Sequence, residues 1–150
     1  MDGLSTSTDL PTVEWISRLA EVNKEDLAEF RKLGEVDCRF AVNIMDGGPE
    51  ASALTVQLVF DGFDVSEIKE ISDTELESMD FVIETDRDSW QEMVDAIRAG
   101  DGRPDLDHTL NALSMASTPI RVWSSDPLGK DMFFRYNQSL QQFFNNCARL

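Results

Sequence analysis

Residues 131–150, DMFFRYNQSLQQFFNNCARL, need a surface to lie on. At 100° per residue, Met132, Phe133, Tyr136, Leu140, Phe143, Phe144, Cys147 and Leu150 fall on one helical stripe about 120° wide. Arg135, Gln138, Gln142, Asn145 and Arg149 fall opposite. Five aromatic rings sit in this one segment of a chain with nine Phe and one Tyr. A helix with so bulky a face is stable mainly through what it packs against, so the rest of the chain must supply a complementary apolar layer.

The period of the sequence changes to supply it. Cys38, Phe40, Val42 and Ile44 alternate with Arg39, Ala41 and Asn43, which predicts a half-buried strand. Leu54, Val56, Leu58 and Phe60 alternate with Thr55, Gln57 and Val59 and predict a second. Asp46-Gly47-Gly48-Pro49 and Asp61-Gly62 read as turns. Residues 63–71 and 81–85 read as a third and a fourth strand, and turns this short predict an antiparallel meander.

Helical spacing stands on both sides of the strands. Pro11 suits a first helical turn, with Val13, Ile16 and Ala20 facing one way. Asn23 is placed to cap a second helix with Leu27, Phe30 and Leu33 on its face, stopped by Gly34. Trp90, Met93, Val94 and Ile97 define a helix entered through Thr85 or Asp86 and ended at Gly100. Pro104 opens another with Leu106, Leu110 and Leu113 on its face, and residues 120–124 read as a fifth strand. Segregated strands and helices predict an α+β fold: a five-stranded, mostly antiparallel sheet with helices on one face. Residues 1–10 read as a flexible tail and residues 11–150 as a single domain.

Charge narrows the partners. The net charge is −16, which repels nucleic acid and anionic membrane surfaces. It is uneven: residues 61–95 hold thirteen acids against Lys69 and Arg87, whereas residues 127–150 hold Lys130, Arg135 and Arg149 against Asp131. The terminal helix is therefore the face that meets a partner with least repulsion. Cys38 and Cys147 both read as buried thiols, with no CxxC and no cysteine–histidine cluster. No apolar run approaches the ~20 residues of a membrane span, so a cytoplasmic setting without stable membrane insertion is expected.

The residues that carry chemistry elsewhere are scattered here. His108, the single histidine, points away from the Leu106–Leu110–Leu113 stripe, and the sequence names no partner for it. Glu84, Asp86, Asp88 and Glu92 crowd one helix entry without the spacing of a calcium loop, and acids in a first helical turn follow from the helix dipole alone. No glycine-rich phosphate loop and no nucleophile elbow appears. No catalytic residue, metal site or cofactor is expected. Apolar residues make up the remainder, and three of them, Met115, Trp123 and Phe134, fall off their stripes and suit a second surface.

The run FVIETDRDSWQEMVDAIRAG, then PDLDHTLNALSMASTPIRVWSSD, resembles the sterol carrier protein 2 (SCP2) domain family. In that family a strand enters a helix through a Thr/Ser/Asp cap, and a turn, a second helix, a short strand and a final helix follow. CRFAVNIMDGG and ASALTVQLVFDG look like its first two strands, and TVEWISRLAEVNKEDLAEFRKLG like the helical lead-in of its stand-alone members. The chain departs from the pattern where residues 115–119 replace a Gly-rich segment and where the last helix is longer and more aromatic. The resemblance implies the same α+β architecture, a hydrophobic tunnel for fatty acyl chains, sterols or other apolar ligands, and no catalytic residues. On that footing Trp90, Met93, Ile97, Leu110, Phe133, Tyr136 and Phe143 are the expected ligand wall, with the Tyr136 hydroxyl as polar contact. The alternative is an accessory subunit of an enzyme complex, with a filled core and with Trp123 and Phe134 meeting a protein partner or a second copy.

Overall fold

The computed structural model describes residues 10–45, 52–116 and 118–150. Apart from Leu10, the expected tail lies outside these residues, as does the predicted turn at Asp46-Gly47-Gly48-Pro49. Among the described residues five α-helices and five strands follow one another as α1 (Val13–Glu25), α2 (Leu27–Leu33), β1 (Val36–Met45), β2 (Ser52–Gly62), β3 (Asp64–Glu70), β4 (Phe81–Asp86), α3 (Arg87–Ala99), α4 (Leu110–Ser114), β5 (Arg121–Trp123) and α5 (Pro127–Asn145). Short 3-10 segments occupy Asp73–Ser78, Leu106–His108 and Asn146–Arg149. No helix among the described residues is long and apolar enough to cross a membrane.

The sheet order is β3-β2-β1-β4-β5. β1 pairs with β2, β2 with β3, and β4 with β5, all antiparallel, so the sheet is mostly antiparallel as predicted. The meander is not what forms. β4 lies parallel to β1, with Phe40 opposite Phe81 and Val42 opposite Ile83. β3 and β4 therefore run the same way, and the chain between them has to cross the sheet. It does so on the face away from the α-helices, where Leu76 and Met79 pack on Ala41 and Val82. A capping box at Ser72 and Glu75 starts that crossing. Gly62, at φ 80°, makes the β2–β3 turn that a side chain would strain.

Local chemistry moved several predicted boundaries. Asn23 does not cap a second helix. It lies inside α1, fully buried, and its amide donates to the Phe63 carbonyl and to Asp64 at 3.2 Å each, which ties α1 to the start of β3. Asp26 takes the cap position of α2. The helix predicted from Pro104 is split: residues 106–108 form a 3-10 turn with Leu106 turned out to solvent, and α4 begins only after Thr109, whose hydroxyl caps the Ala112 amide at 3.1 Å. The helix after Thr85 forms as read, with Asp86 accepting from the Ser89 amide at 2.7 Å and Gly100 closing it.

One apolar layer results. Cys38, Phe40, Val42 and Ile44 of β1 join Val56, Leu58 and Phe60 of β2 and Phe81 and Ile83 of β4 on the inner face, beneath the helices. Burial pushes the Cys38 thiol up to about 12, with Asp80 and Asp37 adding to it, so that thiol stays protonated.

Candidate functional site

The start of α5 fixes the roof of this layer. Asp126 accepts from the Leu128 amide at 3.0 Å, and Pro127 occupies the first turn. Gly129 is buried so close to the Asp80 carbonyl and to Ser124 that a Cβ has no room. The helix then lies across the sheet with Phe133, Leu140, Phe143 and Phe144 pointing down, all of them excluded from solvent.

Ring contacts run without a break through the interior. Trp15 meets Trp90 edge-on at 5.8 Å, Trp90 meets Phe144 at 5.6 Å, and Phe144 meets Phe143 at 5.4 Å. Phe143 stands on Phe60 at 5.3 Å, Phe60 and Phe40 stack at 6.1 Å, and Phe40 and Phe81 stack at 4.9 Å. Phe133 closes the series on Phe81 at 5.7 Å and touches Phe134 at 5.5 Å. Most of these are the edge-to-face geometry favoured by ring quadrupoles, each worth about 0.5–1.5 kcal/mol beyond the area buried. Phe133 and Phe143 thus plant the two halves of α5 on the three sheet phenylalanines.

The expected ligand wall is brought together, and it is full. Trp90, Met93, Ile97, Leu110, Phe133 and Phe143 all belong to this one cluster, each with 0% of its surface accessible. A side chain lining a water-sized void would retain accessible surface, so in this conformation these six fill the space between sheet and helices. Tyr136 stands at the rim, partly exposed, beside Met132 and with the Arg135 guanidinium 5.9 Å from its ring.

Three buried polar atoms find no protein partner among the described residues: Trp15 Nε1, Asn23 Oδ1 and Asn146 Nδ2. Buried polar atoms are nearly always paired, so each calls for a water or a ligand atom. Trp15 touches Trp90 at one end of the aromatic series, and Asn146 opens the 3-10 turn that follows α5 and packs on α1 and α3. Sequence pattern hides this pair, because an indole on an apolar face reads as core and an Asn at a helix end reads as a cap.

The two residues expected at a partner surface do not share one. Trp123 lies on the outer sheet face, its indole donating to Glu84 at 3.2 Å with the Arg121 guanidinium 5.6 Å from its ring. Phe134 is 53% exposed on the outward side of α5. Glu84 anchors a polar row on that outer face: it accepts from Asn43 at 2.9 Å, and Asn43 accepts from the Thr55 hydroxyl at 2.8 Å.

The carboxylates at the α3 entry have separate tasks. Asp86 caps, Glu84 serves the outer face, and Glu92 reaches His108 Nε2 at 2.8 Å. Among the described residues no group of three or more His, Cys, Asp or Glu side chains is gathered to hold a metal ion. His108 has partners that the sequence did not reveal. Its Nδ1 sits 2.8 Å from Asp105, so the ring bridges its own turn to α3. The hydrogen bond to Asp105, then that to Glu92, hold its pKa above the ordinary histidine value. A raised folded-state pKa means that the clamp contributes fully below the unfolded value of about 6.5 and is lost as pH rises through the folded value. Asp105 is shifted down by the same hydrogen bond, so its share is lost in acid. The gap in melting temperature between the protein and His108→Gln should therefore shrink from pH 6 to pH 9; a gap constant over that range would show the clamp to be electrostatically silent.

No family model matches the chain, and no curated protein sequence matches it. Solved structures do. The solution structure of a conserved hypothetical protein of Thermus thermophilus, described as possibly a sterol carrier protein, matches with a TM-score of 0.63 at 17% identity, over 95% of this chain and 90% of that one. The crystal structure of sterol carrier protein 2 matches with a TM-score of 0.56 at 19% identity, over 89% of this chain and 95% of that one. The fold is SCP2-like. At these identities the likeness is one of backbone architecture, and it runs along nearly the whole length of each chain.

Proposed function

We propose that this chain binds and carries a small apolar molecule with one polar end, such as a fatty acyl chain or a sterol, between α5 and the inner face of the sheet, without catalysing a reaction. The observation that carries the reading is the compartment itself: a continuous aromatic and aliphatic interior, with two buried unpartnered donors, Trp15 Nε1 and Asn146 Nδ2, on elements that bound it. Apolar burial at roughly 25 cal/mol per Å² supplies the affinity, and a donor at one end orients a hydroxyl or carboxyl oxygen. Trp90, Met93, Ile97, Leu110, Phe133, Tyr136 and Phe143 form the wall. Because six of the seven are closed on one another in this conformation, α5 has to move away from the sheet on binding, with Met132 and Tyr136 at its partly exposed edge. The structural neighbours support the reading by the names they carry, a sterol carrier and a protein described as possibly one.

A second reading has its own support. The closed interior also suits a protein-binding module, an accessory subunit that helps an enzyme handle apolar substrates, and Phe134 and Leu128 of α5 stand 53% and 66% exposed. Melting curves with oleate and with cholesterol separate the two. The ligand reading expects a rise in melting temperature that grows with ligand concentration, as binding to the folded state alone requires. Size-exclusion chromatography with light scattering reads the other: a dimer lost on Phe134→Ser, with no response to either lipid, favours the interface.

A further inference from the structure

The outward side of α5 carries a second feature, unrelated to the apolar interior. A groove of about 350 Å³ lies along it, within the ~300–1,000 Å³ range of small-molecule sites. Gln138, Gln142 and Asn145 form its floor, Thr109 and Asn111 stand on the α4 side, and Leu33 closes the α2 side. Among the described residues no ionisable side chain lines it, in a chain of net charge −16. Six of its eight lining residues are carboxamides, which sets its chemistry apart from the surrounding charged surface.

Some of these amides are already committed to the fold. Gln141 accepts from the Leu110 amide at 2.7 Å and donates to Asn145 at 2.8 Å, which docks α4 on α5 and holds the floor rigid. The side chains of Asn111, Gln138 and Gln142 have no partner among the described residues. Each offers a donor and an acceptor side by side. Phe134, 53% exposed, stands one helical turn before Gln138 on α5, just outside the residues that line the groove.

We propose that this groove binds a neutral saccharide. Adjacent hydroxyl groups on a sugar ring each donate and accept, which matches paired carboxamides. The apolar C–H face of the same ring fits the face of Phe134. Anionic ligands, nucleotides and sialylated glycans among them, find no cation in the groove and are repelled by the net charge.

The test is an array of neutral and sialylated glycans probed with the protein and with Gln138→Ala/Gln142→Ala, whose side chains hold no contact that the fold needs. The expected result is retention on neutral glycans, no retention on sialylated ones, an unchanged melting temperature for the variant, and glycan binding roughly tenfold weaker once two hydrogen bonds are lost. Phe134→Ala should weaken binding as well. Retention of no neutral glycan, equal retention by the double variant, or capture only of uncharged peptides spotted on the same array would overturn the proposal. None of these outcomes bears on the apolar reading, which concerns the other side of α5.

Discussion

Phe143→Ala is expected to lower the unfolding free energy by about 3–5 kcal/mol, the usual cost of deleting a phenylalanine from a closed core. Phe143 is fully buried and joins Phe144 and the Trp90 end to Phe60 and the sheet end of the ring series. Its loss removes both the transferred surface and the edge contacts on either side, and α5 cannot sink to refill the space while Gly129 and Phe133 hold its other end. For a chain of this size that loss corresponds to a fall in melting temperature of roughly 6–20 °C. Urea unfolding of the two proteins measures it. A loss below about 1 kcal/mol would mean that the space under α5 is not packed as described.

Gly129→Ala carries the second large effect, and its sign is diagnostic. Alanine is the better helix former by about 1 kcal/mol, so propensity alone predicts stabilisation. Here the added Cβ meets the Asp80 carbonyl and the Ser124 side chain, which cannot both withdraw. Overpacking of this kind costs about 1–3 kcal/mol, so the variant should unfold more readily and α5 should dock less firmly on the β4 side. A more stable Gly129→Ala protein would show that the first turn of α5 stands off the sheet.

Residues 131–150 show how far sequence reasoning reached. The stripe read from them is the buried face of α5 and of the 3-10 turn that follows Asn145, with Phe133, Leu140, Phe143 and Phe144 of the helix and Cys147 of the turn all buried, because period decides which side of a helix meets the core. The alternation at residues 38–44 and 54–60 placed the sheet's inner face equally well. The parallel β1–β4 pair was hidden because strand parity says which face a residue occupies, not which strand lies beside it. Leu106 was misplaced because a capping Thr109 outweighed the helical spacing across it. The site was legible as a list of side chains but not as a volume. Trp90, Met93, Leu110 and Phe133 do converge, yet whether converging side chains leave a space between them depends on rotamers that no pattern encodes. Polar atoms were least legible. The orphaned Trp15 and Asn146 donors, the Glu92 side of the His108 clamp and the meeting of α2, α4 and α5 around the carboxamide groove all depend on tertiary contacts.

Native mass spectrometry of delipidated protein mixed with oleate or cholesterol reads directly whether an apolar ligand enters between α5 and the sheet. The expected spectrum holds a one-to-one complex with at least one of the two, weakened by Asn146→Leu, which deletes a buried unpartnered donor proposed to meet the ligand's oxygen. Unliganded mass alone at saturating concentrations of both, with a melting temperature unmoved by either, would refute the carrier reading.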